Sequence, residues 1–193
     1  MSASPAPARP ADDRAPRRIG VHDSWLTVSA AAVLASLGLV AAAWTSAHLH
    51  ADAPLRTAAL FLHLASLVVG FGAVLAADFH GLLWITGRCD LREAVVVTNR
   101  LNTPIWAGLV GLVLSGVLLR PDLDSPFTWA KLTFVVLLTG NGLQAGLLAR
   151  RLADADRAGP PARRTMAWGL GTALVSQICW WGAVLVGFRA SNG

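Results

Sequence analysis

The chain has 193 residues, of which 54% are apolar and only 14% are charged, and its mean hydropathy is +0.54. This composition excludes a conventional cytosolic enzyme, because a soluble domain carries about a quarter charged residues. The net charge of +5 comes from arginines in short segments beside apolar runs, so it indicates membrane topology rather than nucleic-acid binding.

The N-terminal part divides into a polar tail and a first apolar run. Residues 1–21 are rich in Ala, Pro and Arg, which predicts a disordered cytoplasmic tail. The run at 25–48 is too long for the apolar region of a signal peptide, so it is predicted to be an uncleaved first span. Cleavage at the sequence Ala51-Asp52-Ala53 is the alternative.

Four further apolar runs follow in chain order, at about 57–86, 101–119, 127–149 and 166–188. Each is near or above the roughly 20 residues that a helix needs to cross the hydrocarbon core. A β-barrel would instead show short alternating segments. The chain is therefore predicted to be an all-α bundle of five transmembrane helices over residues 22–189, with 190–193 as a short tail and the lipid bilayer as its solvent.

Basic residues predict the orientation of this bundle through the positive-inside rule. Twelve of the sixteen Lys and Arg residues lie in the tail and in the segments 88–100 and 150–164, whereas four lie elsewhere: Arg56, Arg120, Lys131 and Arg189. We expect a cytoplasmic N-terminus, a periplasmic or extracellular C-terminus, and multi-pass insertion in a bacterial inner membrane.

Histidines near the outer ends of the first two helices form the main candidate site. His63 lies inside the second span, and His48, His50 and Asp52 lie close to the short loop that joins the two spans. Neutral imidazole is a ligand for haem iron, copper and zinc. The pattern predicts a haem b site in which His48 or His50 joins His63, or a transition-metal site that adds Asp52, with an ordinary polar turn as the alternative.

Polar residues near the inner ends form a second candidate cluster: Asp78, His80, Asn99, Arg100 and Asn102. Because ionisable groups are costly in a membrane, they indicate a second haem, a proton site or the exit of a metal pathway. A structural Asp78–Arg100 ion pair is the alternative.

Lys131 is the only lysine and begins the fourth span, and neutral polar residues occur deeper in the bundle. The lysine either reaches out to the interface or faces the carboxylate of a substrate or a haem propionate. Asn141, Gln144 and Gln177 are expected to form hydrogen bonds between helices. The helix face of His63 carries a stripe of mostly small residues, which is expected to pack against another helix, with a flat macrocycle such as haem as the alternative: Ser66, Gly70, Val74, Ala77 and Gly81.

The sequence resembles a known family over about residues 57–150, in several of these positions and others near them. They are Leu62-His63, Gly70-Phe71-Gly72, Arg100-Leu101, Pro104, Ser115-Gly116 and Trp129-Ala130-Lys131-Leu132. In this order they resemble the copper-resistance CopD-like and related HemJ-type membrane proteins. The resemblance implies that His63 is a haem or copper ligand and that Lys131 belongs to the same site.

Three functions are compatible with this sequence. The first is a b-type haem electron-transfer protein with a membrane redox partner or quinone. The second is a copper-like metal-ion permease or accessory protein, and the third is a cofactor-free scaffold or subunit, including a homo-oligomer. An absorption spectrum of the purified protein distinguishes the first from the others.

Overall fold

The computed structural model describes residues 25–49, 51–158 and 162–192, and within them the fold is entirely α-helical. The predicted N-terminal tail and His50 lie outside the described residues. The helices are α1 (Trp25–His48), α2 (Ala53–Ile85), α3 (Leu91–Leu118), α4 (Pro126–Ala158) and α5 (Arg163–Asn192). Each contains a stretch long and apolar enough to cross a membrane, which confirms the prediction of five helices of membrane-spanning length.

The helix ends follow from capping residues that extend α2 and α3 beyond the predicted apolar runs. The Asp52 carboxylate accepts a hydrogen bond from the Leu55 amide at 3.0 Å, so α2 begins at Ala53 with Pro54 in its first turn. Asp90 caps α3 in the same way, accepting from the Glu93 amide at 2.7 Å. The segment before Pro104 is therefore helical and continuous with the span.

Helices α2 to α5 form a ring, and α1 lies outside it. Helix α2 contacts α3, α3 contacts α4, α4 contacts α5, and α5 contacts α2. Helix α1 packs against α3 and α4 instead. Within the described residues, α1 and α2 are joined by a short loop but are not a packed pair, contrary to the expectation that a short loop brings their histidines together.

The closest helix contact is the seam between α2 and α3, where glycines face each other. A Cβ atom on Gly108 would lie 2.5 Å from the Gly70 nitrogen and 2.7 Å from the Ser66 carbonyl oxygen. Gly111 likewise faces the side chain of Ser66. Small residues allow backbones in a membrane to approach closely. The expected packing role of the stripe is thus confirmed at Ser66 and Gly70.

Large side chains fill the centre of the four-helix ring. The buried layer consists of Val74, Leu138, Cys179 and Trp180, packed against Leu67, Phe71, Ile105, Leu112 and Phe134. The rings of Phe71 and Trp180 stack with centroids 5.5 Å apart. By contrast, apolar side chains of α1 such as Leu34 and Val40 are 68% and 67% exposed. The apolar exterior is what a lipid-facing surface requires.

Helices α4 and α5 are joined by the polar residues that the sequence predicts to link helices. The Asn141 side chain donates to the backbone carbonyl of Thr172 at 2.9 Å. Gln144 donates to the side-chain oxygen of Asn141 at 2.8 Å and accepts from the Trp168 indole at 2.8 Å through its own side-chain oxygen. Gln177 bonds to α2, as described below. These contacts confirm the expected interhelical hydrogen bonds.

The two ends of the bundle differ in charge. We call the end that contains His48, Ala53, Leu118 and Pro126 the arginine-poor end, since its only basic residues in the sequence are Arg56, Arg120, Lys131 and Arg189. The other end, which includes the α2–α3 and α4–α5 connections, is the arginine-rich end.

Candidate functional site

His63 is half-buried on α2 and contacts α3 rather than α1. Its Nδ1 lies 2.9 Å from the hydroxyl oxygen of Ser115, which is completely buried. The Ser115 hydroxyl donates to the Gly111 carbonyl of its own helix at 2.5 Å. Because the hydroxyl proton is used there, we assign to His63 the tautomer in which Nδ1–H donates to Ser115. The other ring nitrogen, Nε2, then carries a free electron pair.

The surroundings of Ser115 explain why the ring fits at this place. A serine four residues after a glycine bonds back to that carbonyl within the helix, which fixes its oxygen on the side facing α2. Gly116 lies beside the imidazole, and a Cβ there would be in ordinary van der Waals contact with it, 3.9 Å from His63 Cε1. The α2–α3 seam therefore holds the imidazole in one orientation.

Lys131 of α4 is the charged neighbour of this imidazole. Its side chain is half-buried, and its positive charge acts on His63. Within the part of the chain that the structure describes, its ammonium group forms no hydrogen bond and no ion pair. The structure thus joins His63 of α2 to Ser115 of α3, and the charge of Lys131 on α4 acts on this pair, in the arginine-poor half of the bundle. We call these three residues the imidazole site.

The other described residues of the predicted outer metal site, His48 and Asp52, are directed elsewhere. His48 is exposed, and its Nδ1 donates to the Trp44 carbonyl of its own helix at 2.8 Å. The Asp52 carboxylate caps α2. No three His, Cys, Asp or Glu side chains among the described residues form a group that could hold a metal ion. The set of His48, Asp52 and His63 is therefore not assembled, because α1 packs on α3 and α4.

The predicted inner cluster is also divided. The Asp78 carboxylate accepts a hydrogen bond of 2.6 Å from the side-chain amide of Gln177 on α5. The side-chain oxygen of Gln177 accepts one of 3.0 Å from the Trp181 indole. His80 instead donates from Nδ1 to the Ala76 carbonyl of α2 at 2.8 Å. Two residues apart on a helix, the two side chains point about 200° away from each other.

The remaining members of the predicted inner cluster do not join either group. Asn99, Arg100 and Asn102 are exposed on α3. Asp78 therefore has an amide partner on α5, and the alternative Asp78–Arg100 ion pair is not formed within the described residues.

Two roles escape a reading of the sequence. Ser115 is one small residue among many in an apolar run, and apart from its place in the family resemblance nothing in the sequence marks its contact with His63. The partners Asp78 and Gln177 are 99 residues apart in the chain, and no local pattern connects them. Both roles depend on which helices become neighbours.

The comparisons with known proteins add no relatives. No protein-family model, no curated protein and no solved structure matches this chain. The similarity to CopD-like and HemJ-type proteins stays a prediction.

Proposed function

We propose that this chain is a multi-pass membrane protein that binds a b-type haem through His63 and carries electrons. The observation that supports the proposal is the fixed His63 ring. Its Nδ1–H is held by Ser115, and Nε2 keeps a free electron pair. Histidines that ligate metals almost always donate their other N–H to an oxygen in this manner, which fixes the tautomer and raises ligand basicity.

Lys131 favours haem over a bare metal ion. A half-buried ammonium group without an ion pair is suited to an anion, and haem carries two propionate carboxylates. The same ammonium would repel a divalent cation held at His63, because like charges destabilise each other at short range. The copper-like permease is therefore the weaker proposal at this site.

The chain's residues fit a single-histidine haem site better than the expected pair of histidines. One proximal histidine is sufficient to hold haem iron. His48 bonds to its own helix, whereas Ser115 and Gly111 orient His63 and Lys131 supplies the charge for a propionate. The bound haem would supply one-electron transfer.

The position of the haem across the membrane follows from the orientation proposed for the bundle. In this proposal the arginine-poor end faces outward from a bacterial inner membrane, by the positive-inside rule. The imidazole site then lies in the outer half of the membrane, and its electrons come from a membrane redox partner or quinone.

The test is an absorption spectrum of the full chain, purified in detergent after expression with added haem. We expect a Soret band that is lost in His63→Ala and retained in His48→Ala and His80→Ala, which remove the two other described histidines. Lys131→Gln is expected to weaken haem binding by about tenfold, since one charge-assisted bond contributes on the order of 1.5 kcal/mol. Absence of the band in the unaltered protein, or its full retention in His63→Ala, overturns the proposal.

A further inference from the structure

A recess opens at the arginine-poor end, separate from the imidazole site. Its volume is about 420 Å³, and the end of α1, the first turns of α2 and the α3–α4 loop enclose it. Its polar lining consists of Ser46, Arg56, Arg120 and Asp122. The Ser46 hydroxyl donates to the Val117 carbonyl of α3 at 2.8 Å and so joins α1 to the wall of the recess.

The charges on this recess are unbalanced. Neither the Arg56 nor the Arg120 guanidinium forms a hydrogen bond or an ion pair within the described ranges. The single carboxylate on the lining, Asp122, accepts a hydrogen bond of 3.0 Å from the Asp124 amide in its own loop. Two guanidinium groups therefore share a concave surface with one carboxylate that is bonded to its own loop.

The backbone at Arg120 supports a specific use of its side chain. Arg120 follows the end of α3 with φ of +50°, and it is the one non-glycine residue with positive φ in the described chain. Glycine is the usual residue at this position after a helix, because a side chain is strained there. Strain of this kind collects at binding sites, where the side chain compensates for its cost.

We propose that this recess binds a phosphate group through Arg56 and Arg120. Guanidinium presents planar pairs of N–H donors that match phosphate oxygens, and it is the preferred partner of such anions. The recess lies at the end of the membrane-spanning helices, where lipid phosphates lie. A lipid headgroup and a soluble phosphate share this chemistry. The inference does not depend on haem binding.

The experiment uses the full chain in maltoside, a detergent without charge. In one arm, native mass spectrometry counts bound phosphatidylglycerol as its concentration rises. In the other arm, calorimetry follows titration with inorganic phosphate at constant ionic strength. The variants are Arg56→Gln, Arg120→Gly and both together, and the control is Arg189→Gln, which removes an exposed arginine from the same end outside the recess.

We expect each recess variant to weaken binding by about tenfold and the control to leave it unchanged. Arg120→Gly is also expected to melt at the same or a higher temperature, since glycine relieves the strained backbone, so weaker binding would not result from misfolding. Binding of the lipid alone identifies a headgroup site, and binding of inorganic phosphate identifies a soluble ligand. If neither probe binds, or if Arg189→Gln weakens binding as much as the recess variants, the proposal is wrong.

Discussion

The histidines differ in what their Nδ1 atoms contact, and this difference selects one of them. The rings of His48 and His80 donate to carbonyls of their own helices, four residues back. His63 donates to a buried hydroxyl on a different helix. A contact between helices fixes the ring relative to the bundle, whereas a contact within one helix fixes it only relative to that helix. Among the described histidines, only His63 is held by a contact with another helix.

The reactivity of the Cys89 thiol is predicted to depend on pH. This thiol lies in the α2–α3 connection, and partial burial together with the charges of Glu93 and Asp90 raises its pKa above the ordinary value. Since the thiolate is the reactive form, maleimide labelling should be slow at neutral pH and should accelerate as the pH rises through the raised pKa.

Glu93→Gln removes one of the negative charges that raise this pKa, so it should lower the pKa and increase the labelling rate at about pH 8. Asp90 is left unchanged because it caps α3. Stopped-flow fluorescence measures the rate, and high salt should reduce the difference between the two proteins. Equal rates at low salt would show that the charge of Glu93 does not act on the thiol.

At the element scale, the α2–α3 pair depends on the absence of side chains at Gly70 and Gly108. The seam also supports the imidazole site, because Ser115 and His63 lie on the same two helices about two turns from this contact. A change that separates the helices should therefore weaken both the fold and the His63–Ser115 hydrogen bond.

Gly108→Ala is expected to destabilise the protein by about 1–3 kcal/mol, because its Cβ would overlap the α2 backbone, which cannot move like a side chain. Differential scanning fluorimetry in detergent should show a lower melting temperature. The matched control is Gly72→Ala on α2, where a Cβ meets nothing within 4 Å and alanine favours the helix. Equal melting of both variants would contradict the close contact.

At the scale of the whole molecule, the proposed orientation places the arginine-rich end in the cytoplasm. Cys89 lies at that end, and the other cysteine, Cys179, is buried in the core. A maleimide that cannot cross membranes, applied at alkaline pH, should therefore label the protein in inside-out vesicles but not in intact cells. Cys89→Ser should abolish the signal. Labelling in intact cells would contradict the proposed orientation and indicate the opposite one.

The length and apolar character of five runs determine the secondary structure, because an apolar segment in lipid must satisfy its backbone hydrogen bonds internally and a helix does so alone. Asp52 and Asp90, each placed before a helix, also fix its start by local capping. The five helices can be read from the sequence because their causes are local, whereas the apolar runs alone place the starts of α2 and α3 too late, at about 57 and 101.

The neighbours of each helix are decided only in the tertiary structure. His63 meets Ser115, Asp78 meets Gln177, and α1 lies beside α3 and α4 because glycine contacts and interhelical hydrogen bonds select partners that are distant in the chain. Apolar helices gain little from burial against each other in lipid, so hydropathy alone carries no information about which faces meet.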